Sequence, residues 1–187
     1  MIKYNLPAEL VVLWRMALMV LFFQFAITVS IYAQECDASG SDATTPASFF
    51  DMKINGTATE KESGLMWMRC ALGQHWRDGQ CSIAYEKFTF VAASSSGKIF
   101  NSEGGFSGYK DWRLPTIEEL SNIVEHACYE PAINLTVFPQ APVTGYWSST
   151  EHASYINGAY LIHLLTGGTY MGNQKIEWAV RLVRDAD

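Results

Sequence analysis

Asp111-Trp112-Arg113-Leu114-Pro115-Thr116-Ile117-Glu118-Glu119-Leu120 carries a complete helix-start signal. Pro115 fixes its own φ and pushes Leu114 toward an extended conformation. Thr116 is placed to accept a hydrogen bond from a backbone N–H of the first turn, and Glu119 to reach back to the Thr116 N–H. Together these make a capping box. Glu118 and Glu119 also lie at the positive end of the helix dipole. Ile117, Leu120, Ile123, Val124 and Ala127 follow at the spacing of one buried helix face, with Glu118, Ser121, Asn122 and Glu125 opposite. The pattern predicts an amphipathic helix from about Thr116 to Ala127, with Trp112 packed under its first turn.

On either side of this helix the pattern is mixed. Upstream, Thr57-Ala58-Thr59 and Leu65-Met66-Trp67-Met68 read as short strands, joined by a turn over Glu60 to Gly64 in which Gly64 supplies a positive φ. Tyr85 to Ser94 is a helix candidate with Phe88, Val91 and Ala92 on one face. Ser95 to Gly108, with glycines at 97, 104, 105 and 108, reads as loop. Downstream, Tyr129 to Thr144 contains three prolines and reads as an irregular crossing. Strand candidates follow at Tyr146 to Thr150, at Ala159 to Leu165 closed by Gly167-Gly168, at Thr169 to Met171 and at Glu177 to Arg184. In the last of these Trp178, Val180 and Leu182 alternate with Ala179, Arg181 and Val183. Strands before and after helices, with short turns, define an α+β domain holding a small antiparallel sheet and two helices. It runs from about residue 50 to 187, after a polar linker or extended lead-in over residues 34–49.

The same residues carry a family resemblance. Gly108-Tyr109-Lys110-Asp111-Trp112-Arg113-Leu114-Pro115-Thr116 resembles the "GYxDWRLPT" signature of the Lcl C-terminal domain family, named after a bacterial collagen-like adhesin. Ser63 to Trp67 resembles its "TGLMW", and Phe90-Val91-Ala92-Ala93 stands at its "WxxA" with Phe for Trp. Pro131 to Asn134 resembles "PAIN", Tyr146 to Ser149 "YWSS", and Val180 to Arg184 the closing "VRxVR". The match spans roughly residues 50 to 184. It implies a C-type-lectin-like, sulfatase-modifying-factor-like fold, in which the terminal strands pair and the loop-rich half presents ligands. It says less about function, which lives in sites rather than folds.

Composition sets the compartment and excludes some partners. The chain has 187 residues, enough for one domain with a real core, and is 49% hydrophobic, too apolar to be disordered. Met16 to Ala33 is an apolar run without a charged residue, preceded by Lys3 and Arg15 and ended by Ile31-Tyr32-Ala33. It reads as a signal peptide removed after Ala33. The alternative is a retained inner-membrane anchor, since the 18-residue run is long enough to span a bilayer. A membrane is a partner only in that second case. Removing residues 1–33 takes away Lys3, Arg15 and Glu9 and leaves 11 basic against 18 acidic side chains, a net charge of −7. That balance opposes nucleic acid, which needs a basic face. It opposes sulfated polysaccharide too, although glycosaminoglycan binding is the activity associated with the family's adhesin member.

Cys36, Cys70, Cys81 and Cys128 all lie in the exported part, and an even count there points to two disulfides. Three pairings are open. Cys70 with Cys81 closes a short loop, and Cys36 with Cys128 would then tie the N-terminal segment to the end of the Pro115 helix. Zinc is the rival reading, through His126, Cys128 and His75, but there is no CxxC and no paired ligand spacing. In the loop between Cys70 and Cys81, Trp76 either covers a disulfide or meets a ligand.

An enzyme needs a positioned constellation. His75, His126, His152 and His163 are scattered, Ser148-Ser149 lacks the surround of a nucleophile elbow, and adjacent Glu118 and Glu119 are better explained by capping. The formylglycine-generating relatives use a reactive cysteine pair late in the chain, and no cysteine lies beyond Cys128. The "EPN", "QPD" and "WND" triplets of calcium-dependent lectins are absent too. No cofactor is expected. The favoured reading is a non-catalytic binding or adhesion module, periplasmic or at the cell surface, for a cell-surface glycan or protein. An enzyme on the formylglycine-generating fold is the alternative. Residues 151 to 178 are rich in interface-type side chains, and Tyr155, Asn157, His163, Tyr170, Asn173 and Gln174 are the ligand-binding candidates. Strand alternation would send Tyr160 into the core with Ile162 and Leu164.

Overall fold

The computed structural model describes residues 34–37 and 43–186. The segment read as a signal peptide or anchor lies outside them. In chain order the strands are Glu35–Cys36 (β1), Phe50–Met52 (β2), Thr57–Glu60 (β3), Leu65–Met68 (β4), Trp76–Arg77 (β5), Gln80–Cys81 (β6), Cys128–Tyr129 (β7), Gly145–Glu151 (β8), Gly158–His163 (β9), Gly168–Asn173 (β10) and Val183–Asp185 (β11). Phe90–Ser102 (α1) and Ile117–Ser121 (α2) are α-helical, and Ala47–Phe49 is a 3₁₀ turn. The strands form a four-stranded sheet in the order β11-β4-β3-β2, a three-stranded sheet β10-β9-β8, and the ribbons β1-β7 and β5-β6. Each of these ladders is antiparallel. The class is α+β, with two principal sheets where one was expected.

Strand β4 is buried on both faces, and period-2 alternation sends its residues to two different cores. In β4, Leu65 and Trp67 join Phe50, Leu120, Ile133, Phe138, Tyr146 and Ile162. Met66 and Met68 point the other way, toward Phe90, Trp112, Trp147 and Leu161. The C-terminal segment repeats this, with Ala179 and Val183 in the first core and Val180 and Leu182 in the second. The alternation read from sequence is present, but neither face meets solvent.

The predicted last strand, 177–184, is a strand only at β11. The reason is that its backbone groups are divided among partners. Trp178 pairs with Phe88, Ala179 bonds Gly145 and Trp147, the Val180 and Leu182 carbonyls accept from Leu72 and Met68, and Val183 pairs with Arg113 and Trp67. One extended segment thereby joins both sheets to the start of α1. Two of the resemblance motifs meet here. Arg184 Nε donates to Asp111 at 2.7 Å, and Arg113 bonds both Glu119 and Asp185.

Both helices differ from the sequence reading. The capping box is present: Thr116 accepts from the Glu119 N–H and the Glu119 carboxylate accepts from the Thr116 N–H. The helix stops at Ser121, however, six residues short of Ala127. Val124 leaves it to form a bridge with Ile133, and Glu125, expected on the solvent face, is 3% exposed. Its carboxylate accepts from the backbone N–H and hydroxyl of both Thr44 and Thr45 and from the Ala127 N–H. Helix α1 begins at Phe90 rather than Tyr85, because Phe88 is bridged to Trp178 and Thr89 caps the first turn. It then continues through Ser102, a stretch read as loop. Ser94 and Ser95 return hydroxyl bonds to carbonyls one turn back. Gly97 serves close packing rather than a turn, since a Cβ there would lie 2.6 Å from the Trp112 carbonyl.

Residues 34–37 are tied to the domain at several points. Cys36 is disulfide-bonded to Cys128 and Cys70 to Cys81, which selects one of the three open pairings. Gln34 donates to the Pro131 and Ile133 carbonyls, and the Asp37 N–H to Ala127. The Tyr129 hydroxyl bonds the Glu35 carboxylate. With every cysteine in a disulfide, the thiolates that zinc would need are not free.

Candidate functional site

The ligand-binding candidates fall at the two ends of the three-stranded sheet. Register places Asn173 opposite Gly158, so the turn over residues 152–157 and the turn after β10 share one end. They are bonded together: the Gln174 N–H donates to Asn157 O at 3.0 Å and its side-chain amide to Gly158 O at 3.3 Å. His152 Nδ1 accepts from the Ser154 and Tyr155 N–H groups and shapes the first turn. Asn173 Oδ1 accepts from the Lys175 N–H and shapes the second. The Gln174 carbonyl anchors the start of α1 through the Phe90 N–H. Onto this bonded frame the chain presents Tyr155, Ile156 and Ile176, exposed by 50, 88 and 49%.

His163 and Tyr170 stand toward the other end, where Gly168 pairs with His163. Five steps along β9 separate the two ends, roughly 17 Å. The His163 ring lies 5.7 Å from Trp178 and 6.3 Å from Tyr170, and its Nδ1 accepts from the Leu165 N–H. Burial pushes its pKa below the ordinary histidine value. Tyr155, Asn157, Asn173 and Gln174 are therefore brought together, and His163 and Tyr170 are not brought to them. Ile162 and Leu164 are buried as the alternation required, while Tyr160 is half-buried beside the His152 ring.

Asn157 has φ of +65°, a conformation that costs a Cβ-bearing residue about 1 kcal/mol and glycine little. Asn157→Gly is expected to leave the melting temperature nearly unchanged, and Asn157→Ala to cost about 1 kcal/mol. Equal melting of the two variants in a thermal scan would show that backbone conformation is not what places Asn here.

A second feature lies between α1 and the loop closed by Cys70–Cys81. It is a cleft of about 660 Å³ walled by Leu72, Trp76, Phe88, Ile99, Phe100 and Phe106. Trp76 pairs with Cys81 across β5-β6, donates its indole N–H to Ile54 O at 2.8 Å, and carries the Arg69 guanidinium 4.4 Å from its ring centroid. It is thus half-buried and held in place, with part of its surface on the cleft. Among these residues the sequence marked only Trp76 as a possible ligand contact. The other walls come from segments with no shared spacing, so no local pattern marks them.

Two buried guanidinium groups support this region. Arg69 donates to the Thr136 and Val137 carbonyls, and Arg181 to the Met68 and Arg69 carbonyls while lying over the Phe138 ring. Burial lowers the pKa of both, and the charge of Arg181 lowers that of Arg69 further. Carbonyl dipoles and ring faces serve them where no carboxylate lies within ion-pair distance among the described residues.

This architecture is a disulfide-tied α+β domain in which the most distinctive sequence motifs build the scaffold. The chain belongs to the Lcl C-terminal domain family, which matches it over residues 56–184. No curated protein matches the chain. The motif residues of that resemblance are mostly committed to structure: Trp112 and Leu114 are core, Asp111 pairs with Arg184, and Trp147 and Ser148 are fully buried. The two disulfides point to an oxidising compartment. No helix among the described residues is long and apolar enough to cross a membrane.

Proposed function

We propose that this chain is a non-catalytic binding module on a C-type-lectin-like scaffold, working in the periplasm or at the cell surface. It recognises a cell-surface protein or glycan through the turns at the shared end of β8-β9-β10. The observation that carries the reading is the apolar group Tyr155, Ile156 and Ile176, held exposed on turns that the His152, Asn173 and Gln174 side chains fasten from within. Ordered loops that present tyrosine and aliphatic side chains suit contact at low entropy cost. The formylglycine-generating alternative requires a free cysteine pair, and all four cysteines are in disulfides.

The test is a binding screen of the exported chain against immobilised glycans and bacterial or host surface preparations, repeated with Tyr155→Ala and Ile156→Ser. Both positions are exposed, so both variants should fold as the parent does. Loss of at least about tenfold in affinity is expected from the pair. Unchanged binding by the folded variants would place recognition elsewhere. A steep fall of affinity with salt, with heparin competing, would instead assign an anionic-polymer activity that the net charge of −7 opposes.

A further inference from the structure

The cleft along α1 is separate from the β8-β9-β10 turns and has its own chemistry. Its volume of about 660 Å³ lies inside the range, about 300–1,000 Å³, of sites that hold small ligands or side chains. Its walls are fixed. A Cβ on Gly56 would lie 2.6 Å from Trp76 and 2.9 Å from Phe106, so this glycine lets both rings settle against one point of backbone. A Cβ on Gly73 would lie 2.5 Å from the Glu86 backbone nitrogen, and the Glu86 N–H donates to Leu72 O at 3.0 Å. The Cys70–Cys81 disulfide closes the same loop. An apolar group entering here meets surfaces that are already in place, which keeps the ordering cost of binding low.

The carboxylates are the charged side chains that line the cleft, while the Arg69 guanidinium is held against the Trp76 ring. Glu86 and Glu103 line it, and neither lysine nor arginine does. Both carboxylates are exposed, and neither is in an ion pair among the described residues. Glu103 is also the C-cap of α1, whose last turn holds no basic residue. Backbone N–H groups of Glu103, Gly104 and Gly105 cap its last carbonyls, and no basic side chain of the last turn offsets the negative end of the helix dipole. Carboxylate, phosphate and sulfate head groups would face two like charges and that dipole end. A neutral sugar would leave the rim charge unused.

We propose that this cleft binds a short peptide segment that pairs a large apolar side chain with a lysine or arginine. The apolar side chain lies between Phe100, Phe106 and Trp76, and the cation meets a rim carboxylate, Glu103 at the end of α1 or Glu86 ahead of its start. Aromatic walls with carboxylates at the rim suit such a pair, since rings and carboxylates both attract cations.

The experiment is fluorescence polarisation of the exported chain with three labelled hexapeptides that contain Phe-Lys, Phe-Glu or Ala-Lys pairs. The Phe-Lys peptide is expected to bind at least about tenfold more tightly than either control, the size of a partly screened attraction exchanged for a repulsion or of one buried ring. Glu86→Lys with Glu103→Lys should leave the melting temperature close to that of the parent, lower Phe-Lys affinity about tenfold and favour Phe-Glu. Tyr155→Ala, in the separate turn face, should change nothing. Equal affinity for the three peptides, no effect of the charge reversal, or no Phe-Lys binding at millimolar concentration would overturn the proposal. So would loss of peptide binding in Tyr155→Ala, which would move that activity to the turns. Neither result depends on whether the turns bind a cell surface.

Discussion

The Cys36→Ser/Cys128→Ser protein is expected to melt about 10 °C or more below the parent, a larger loss than Cys70→Ser/Cys81→Ser produces. The two disulfides close loops of very different length. Cys36 and Cys128 are 92 residues apart, Cys70 and Cys81 only 11. In the chain-entropy account, the long loop removes about 4–5 kcal/mol of freedom from the unfolded chain and the short one about 3 kcal/mol. In a domain of this size each kcal/mol moves the melting temperature by about 2–4 °C. The native contacts around the long bridge offer little in its place. Ribbon β1-β7 has two residue pairs, supported by Gln34 and the Asp37 N–H. Once the bridge is gone, residues 34–37 can fray while the four-stranded sheet stays folded. Limited proteolysis should then cut first between Gln34 and Thr44. Calorimetry of both serine pairs checks the ranking, and a larger loss for the Cys70–Cys81 pair would show that local packing outweighs loop length.

What the sequence reveals of this fold depends on the range of the interaction concerned. The capping box was legible because Thr116 and Glu119 are three residues apart and need nothing else. Strand β4 was legible to the residue, because both of its faces are lined by large apolar side chains bounded by Gly64 and Arg69. The extent of α1 was not. Three serines and a glycine read as loop, and only the Trp112 carbonyl, fifteen residues away in sequence, shows that Gly97 is there to let a helix come close. The end of α2 was hidden in the same way, because the group that pulls Glu125 inward is Thr44-Thr45, about eighty residues earlier. The turn candidates were half legible. Composition marked Asn157, Asn173 and Gln174 as polar loop residues, but the bonds that join the two turns, from Gln174 to the Asn157 and Gly158 carbonyls, follow from the β9-β10 register. The cleft was least legible of all: its walls come from separated segments and share no period.

Glu125 is expected to be the most costly single polar substitution in the domain. Its carboxylate is buried and accepts five hydrogen bonds, from Thr44 N at 2.8 Å, Thr44 Oγ1 at 3.0 Å, Thr45 N at 2.9 Å, Thr45 Oγ1 at 3.1 Å and Ala127 N at 3.1 Å. No arginine or lysine among the described residues shares it, and oriented N–H and O–H dipoles hold the charge. Burial alone would push its pKa up. The Thr44, Thr45 and Ala127 N–H groups and the Thr44 hydroxyl outweigh burial and hold it below the ordinary value. Glu125→Gln keeps the shape but turns an NH₂ group toward these donors, and should cost about 3 kcal/mol at pH 7. The sign of the pH dependence follows. A carboxyl with a depressed folded-state pKa contributes stability that is fully present above its unfolded value of 4.5 and is lost as pH falls through the folded value. The parent should therefore lose stability on acidification from about pH 5 downward. Glu125→Gln should lose less over the same interval, so the two denaturant midpoints converge toward pH 3. Midpoints that stay parallel between pH 7 and pH 3 would mean that the carboxylate charge is not what fastens Thr44 and Thr45 to the domain.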